Sequence, residues 1–301
     1  MNADQLSKAF AGLVLAVAVP SSVAAQSAPN INVTGEIEVE VLHSDGSDET
    51  FLFGDIDLSF GPAAGAGGLG FDLGVLAIDS DGIGSESAIF AAATYTTSYG
   101  KFSFGVPRNA ASAFSRMPDL GGIKLVSLQQ DAFTGGVVEL MYLTNDDVPV
   151  GLRYDADYGA IKAATSYHRL SDSEATVFDL AASFEMGKFF TNGSVEIVKP
   201  QGTSSQSAVH AEIGASTDLY EAGIGYTIGS NVIPDAFMAW ATYRPVQKLD
   251  ISATVLDIDG TDALYGLSGT YAFWNSAYVQ AGVADSSGID AVWDLSLGYK
   301  F

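Results

Sequence analysis

Glu36, Glu38 and Glu40 stand at every second position of a β-branched stretch and are the first charged side chains after residue 25. Side chains of an extended strand alternate between faces, so these carboxylates share one side while Ile37, Val39 and Val41 take the other. Asp55 and Asp57 repeat the pattern in the next stretch. A surface lined by one sign of charge gathers counter-ions, and between residues 26 and 100 no Lys or Arg opposes these acids. Three of the few basic side chains, Arg108, Arg116 and Lys124, fall with Asp119, Asp131 and Glu139 in one stretch, residues 107–147. Arg153 and Lys162 lie beyond it, and alternation against Leu152 and Tyr154, and against Ile161 and Ala163, turns them toward the polar face. Together these charged residues are the candidate lining of an aqueous passage, and their balance predicts a preference for cations.

Other chemistry is weaker. The chain has 3 histidines, His43, His168 and His210, without metal-ligand spacing, and nothing selects a Ser/His pair. No catalytic constellation and no cofactor is therefore expected. Asp79, Asp81, Asp257, Asp259 and Asp262 sit in acidic, glycine-bearing connectors whose oxygens suit a structural Ca²⁺, although EF-hand spacing and its terminal Glu are missing. Solvated loop tips are the competing reading.

The elements that must position these groups begin after a leader. Residues 1–25 read as a secretory signal peptide: a short polar lead with Lys8, an apolar run over 9–19, and the small-residue site Val23-Ala24-Ala25. That apolar run is about half the length of a membrane-spanning helix. Residues 26–301 then form one domain. No later stretch suits a transmembrane helix, yet the chain is 48% hydrophobic with a formal net charge of −23. Strands with one apolar and one wet face reconcile those two facts. Cysteine is absent, so no disulfide contributes. The acidity excludes nucleic acid as a partner, because phosphates would be repelled.

Period-two alternation begins near residue 31 and recurs to the C-terminus. Residues 291–301 set Ala291, Trp293, Leu295, Leu297, Tyr299 and Phe301 against Asp294, Ser296, Gly298 and Lys300. Turn signals every 9–12 residues give about sixteen strands, with lengths suited to a tilted membrane crossing. Alternate connectors sort into a long, acidic set and a short, acid-poor set, as in transmembrane barrels. Aromatic residues lie near strand ends, where membrane interfaces favour them. Residues 107–147 alone break this rhythm. A loop of that length inside a compact domain is functional or disordered, and this one is too apolar for disorder. It is expected to fold back into the pore and narrow it.

Several segments resemble the general porins of alphaproteobacteria. The segment from Leu264 through Gly269 to Tyr271, then Gly282-Val283-Ala284-Asp285 and Leu297-Gly298-Tyr299-Lys300-Phe301, is similar to that family's last three strands. Asp147-Val148-Pro149-Val150-Gly151-Leu152-Arg153-Tyr154 is similar to the strand leaving its constriction loop, and Phe301 to the outer-membrane assembly signal. The resemblance implies a trimeric sixteen-stranded barrel with its third outer loop inside. It also implies a basic wall facing an acidic loop, and there the chain departs, since its early strands carry acids.

The sequence thus predicts an all-β protein, a transmembrane antiparallel barrel of about sixteen strands with a long third outer loop folded into the lumen. The expected function is passive diffusion of small hydrophilic solutes and ions across a cell outer membrane. Outer-membrane lipid and further copies of the chain in a homotrimer are the expected partners. Alternatives are a substrate-selective outer-membrane channel, an exported calcium-binding β-rich adhesin and an outer-membrane hydrolase. The adhesin would show a short tandem repeat, which is absent.

Overall fold

The computed structural model describes residues 30–63, 66–80, 82, 84–230, 233–274 and 276–301. The signal-peptide assignment and Asp81 lie outside the described residues. Alternation of β-branched and polar residues produces sixteen strands that close into one antiparallel barrel. The first five are β1 (Asn30–Ser44), β2 (Ser47–Gly61), β3 (Gly68–Ser80), β4 (Gly84–Thr97) and β5 (Gly100–Val106). Then follow β6 (Pro149–Asp157), β7 (Ile161–Leu170), β8 (Thr176–Met186), β9 (Phe189–Lys199), β10 (Gln206–Ser216) and β11 (Tyr220–Gly229). The last are β12 (Ala236–Val246), β13 (Leu249–Ile258), β14 (Leu264–Ala272), β15 (Ala277–Ser286) and β16 (Ile289–Lys300). Each strand pairs with its sequence neighbours, and β1 closes on β16 with Glu36 opposite Lys300 and Glu40 opposite Ser296. Closure satisfies the backbone groups that two sheet edges would leave open. No described helix is long and apolar enough to cross a membrane, which says nothing about crossing by strands.

The two faces of the wall differ as the alternation predicts. On β16, Trp293 is 57% exposed, Leu295 58% and Leu297 57%, whereas Asp294 and Ser296 are 5% and 2% exposed. The outward row is apolar on other strands as well: Val39 and Val41, Phe102 and Phe104, Leu180, Ile224 and Leu267 are all exposed. The parity of β4 and β5, ambiguous in sequence, is now clear. Phe90, Ala92, Thr94 and Ser103 are buried inward, while Ile89, Tyr95, Phe102 and Phe104 are exposed outward.

Between β5 and β6 the chain forms short 3₁₀ turns (Ala111–Phe114, Leu120–Gly122) and two helices, α1 (Lys124–Thr134) and α2 (Val137–Asn145). Gly135, at φ +110°, ends α1 in the left-handed conformation that a side chain would resist. Leu120, Ile123 and Leu143 of this segment are buried in one apolar cluster with residues of the wall. The wall supplies Leu42, Phe51, Phe53, Leu76, Ile78, Ala88 and Phe90 from β1–β4, and Ala236, Met238, Leu256 and Ala284 from β12, β13 and β15. A second cluster joins Val138 to Leu170, Val177 and Val198. The interior is therefore not polar throughout. Where an irregular segment turns apolar side chains away from water, the facing wall residues become apolar too.

Candidate functional site: a charged interior built on residues 107–147

Gly121 shows how closely this segment meets the wall. A Cβ built on Gly282 would lie 1.7 Å from the Gly121 carbonyl oxygen, and one on Gly266 would lie 2.2 Å from the Gly121 nitrogen. Gly121 itself has φ +66°. Backbone packs on backbone here, and only glycine leaves the space.

Hydrogen bonds extend the contact to both halves of the barrel. Lys124 N–H donates to a Glu40 carboxylate oxygen at 2.8 Å on β1, and the Gln280 amide on β15 donates to the Gly122 carbonyl at 2.7 Å. On the other side, Ala110 N–H donates to Ser166 Oγ on β7 at 2.9 Å, and Arg116 N–H to Glu212 on β10 at 3.0 Å. The Asn192 amide on β9 reaches the Phe114 carbonyl at 2.6 Å, and the Thr227 hydroxyl on β11 reaches the Phe133 carbonyl at 2.8 Å. All these wall side chains belong to the inward row.

The charged residues form paired groups around this scaffold. Arg108 donates through Nε to Asp57 at 2.9 Å, through Nη1 to Glu139 at 3.3 Å and through Nη2 to Asp55, with its guanidinium 4.8 Å from the centre of the Phe90 ring. Burial works against its charge, but Glu139, Asp55 and Asp57 outweigh burial and hold it more firmly protonated than a free arginine. Lys124 Nζ contacts Glu36 and lies 2.6 Å from Asp119. Burial again opposes the ammonium, and the facing carboxylates Asp119, Glu36 and Glu38 still raise its pKa well above the ordinary lysine range. For Asp119 the balance is reciprocal: burial raises its pKa, Lys124 more than compensates, and the net direction is down. Arg153 clamps Asp155 at 2.6–3.0 Å and donates to the Asn109 carbonyl at 2.5 Å.

These groups enclose a cavity of about 350 Å³ lined by Asp57, Asp72, Lys101, Arg108, Glu139, Arg153 and Asp155. Lys101 lies 2.8 Å from Asp72 across the wall. Counting Asp55, which also pairs with Arg108, five carboxylates surround the three cations Lys101, Arg108 and Arg153. The chamber is thus acidic by two charges.

The other expected lining residues are placed differently. Glu38 and Glu40 share the inward row of β1 with Glu36, but at 1% and 0% exposure they are covered by the segment rather than facing open water. Arg116 turns to the β8 wall, where it pairs with Glu185 and lies 4.5 Å from the centre of the Phe190 ring. Lys162 is exposed at the end of β7 opposite Asp157, away from the chamber. Among the acidic connectors, Asp79 accepts a hydrogen bond from Ser85 at 2.5 Å. Among the described residues, the group of three carboxylates close enough to share a cation lies elsewhere, at Glu38, Glu40 and Asp294. The sequence reading did not assign Asp72, Lys101 and Asp155 to the site. Lys101 and Asp155 carried a usable signal, alternation against the outward Phe102 and Tyr154.

Asp131 gives the interior a titration near neutrality. Its side chain is exposed, but the protein packed around it together with the charges of Asp119 and Glu139 pushes its pKa up to about 7. Protonation below that pH removes a negative charge. Acidification from pH 8 to pH 6 is therefore expected to weaken any cation preference reversibly, and Asp131→Asn should reduce that change in reversal-potential measurements.

No family model matches the chain, and no curated protein matches it. Solved structures do. The chain is similar to engineered variants of the Rhodopseudomonas blastica porin, covering 90% of this chain and 100% of each variant. Two of these share 15% identity with it, at TM-scores of 0.65 and 0.66, and a third shares 16% at 0.65. At such identity the likeness is one of fold: the sixteen strands adopt the porin barrel.

Proposed function

We propose that this porin-folded chain is an outer-membrane channel through which small hydrophilic solutes and ions diffuse passively, with cations favoured. The observation that carries the reading is the closed barrel with an exposed apolar outer row and a charged interior. A soluble barrel would need the reverse arrangement, because its outer surface meets water. In this reading residues 107–147 lie in the lumen as its constriction, and the acidic chamber around Arg108 is part of the path. The hydrogen bonds to both halves of the wall support a narrow passage. They also favour a selective channel over a wide, non-discriminating one.

The outward row supplies the first test. Leu295 stands near the middle of β16, so Leu295→Arg is expected to cost about 2–4 kcal/mol if it meets the bilayer midplane. Unfolding from lipid vesicles measures this. Single-cysteine variants along residues 291–300 should react alternately with lipid-soluble and aqueous thiol reagents; uniform labelling would remove the membrane assignment.

Selectivity supplies the second. Purified protein in planar bilayers is expected to show a cation-selective reversal potential in a salt gradient, largest at low ionic strength because salt screens the chamber. Neutralising Asp57, Asp72 and Glu139 together should move that potential toward zero. Neutralising Glu38 and Glu40 should move it little, because they are covered. An anion-selective wild-type channel would mean that Lys101, Arg108 and Arg153 govern the narrowest point, against this reading.

A further inference from the structure

We infer that Glu38, Glu40, Asp294 and Ser296 form a binding site for a hard divalent cation, Ca²⁺ by its chemistry, buried between the barrel wall and residues 119–124. One oxygen from each of the three carboxylates can be chosen so that all lie within 4.8 Å of one another. The strand register puts them together: Glu40 is directly opposite Ser296, Leu42 opposite Asp294 and Glu38 opposite Gly298. All four are buried on the inward row, none more than 5% exposed.

Carboxylate clusters are common on acidic surfaces, but this one is covered and its donor atoms are unused. Glu38 Oε1, Glu40 Oε2, both Asp294 oxygens and the Ser296 hydroxyl make no hydrogen bond of good geometry, although Ser296 lies close to the Glu38 and Asp294 carboxyls. Ser296 is a neutral group, and its orphan oxygen beside Glu40 is a separate sign that something belongs there. The remaining oxygens are already occupied: Glu40 Oε1 accepts from Lys124 N–H at 2.8 Å, and Glu38 Oε2 accepts from the Tyr278 hydroxyl. Three carboxylate oxygens therefore converge, and the second Asp294 oxygen and the Ser296 hydroxyl are free to bring the set toward the six to eight that Ca²⁺ takes in flexible geometry. Hard oxygens without nitrogen or sulfur disfavour zinc and copper. Lys124 is the nearby cation, but its ammonium is engaged by Glu36 and Asp119.

Such an ion would do structural work. It would link β1 and β16, the pair that closes the barrel, directly beneath the point where the segment docks through Lys124. None of the four residues lines the charged cavity around Arg108, so ion binding here can be measured apart from the proposed channel activity.

The test uses the whole protein in detergent, stripped with a chelator and titrated with Tb³⁺ as a luminescent calcium analogue. Tyr278, in contact with Glu38, is placed to sensitise it. Saturable luminescence at one ion per chain, displaced by Ca²⁺, is expected. Asp294→Asn and Glu40→Gln should weaken binding at least about tenfold. A triple Asp257→Asn, Asp259→Asn, Asp262→Asn variant should leave it unchanged, which separates this site from the acidic connectors. A second readout needs no variant to bind: Ca²⁺ should raise the melting temperature of the stripped wild-type protein, and the chelator should reverse the rise. No saturable binding and no Ca²⁺-dependent melting shift would overturn the site. So would melting that responds only to pH, since protons alone would then satisfy the cluster.

Discussion

Excising residues 121–135 is expected to raise single-channel conductance several-fold while the barrel still assembles. The strands close through their own ladders, β1 on β16 included, and no ladder uses this segment. What the excision removes is α1, Gly121 on the glycines of β14 and β15, and the hydrogen bonds to Gln280, Glu40 and Thr227. The wall would then expose Phe51, Phe53 and Met238 to water, so some loss of stability should accompany the gain in conductance. A gentler variant tests the same contact. Gly282→Val places a side chain where the Gly121 carbonyl now sits, so the segment must shift. Heat-modifiable mobility on gels reports folding, and bilayer recording reports conductance. A folded excision variant with unchanged conductance would place the segment outside the path.

Lys124→Met should be the most costly single substitution of a charged residue, at about 3–5 kcal/mol, because it breaks a buried ion pair from one side only. Lys124 is buried, and its ammonium faces Glu36 and Asp119 with Glu38 behind them. Without it, carboxylates under the segment lose their compensating charge and must take up protons or water. The variant should therefore regain stability as pH falls, since protonation neutralises the abandoned acids. Lys162→Met is the control. That lysine is exposed, and its replacement should change stability by less than about 0.5 kcal/mol. Urea unfolding at pH 5 and pH 8 measures both; equal costs for the two lysines would mean that water reaches Lys124 freely.

Much of the barrel was legible in the chain because strand alternation is a local property. Trp293, Leu295 and Leu297 against Asp294 and Ser296 define their faces whatever they pack on, and the register repeats this around the wall. Hairpin connectors were legible for the same reason, although β1 and β2 pair further than the turn signals suggested, leaving only Asp45 and Gly46 between them. The helices within residues 107–147 were not legible. They are short, and α2 is apolar on several sides: Leu143 packs into one cluster, Val138 into another. A helix enclosed on all sides loses the 3.6-residue stripe that marks a surface helix.

By itself the sequence determined that the chain alternates, that one strand face is apolar and the other acidic, and that one long apolar segment interrupts the pattern. Only the tertiary structure decided which acids meet which bases. Arg108 reaches Asp55 and Asp57 from about fifty positions along the chain, and Lys124 reaches Glu36 from nearly ninety. No periodicity encodes such pairings, because they depend on where a closed barrel brings the returning segment. The same folding separates carboxylates that look equivalent in sequence. Glu38 and Glu40 are covered against β16, while Asp57 and Asp72 are left lining the charged cavity.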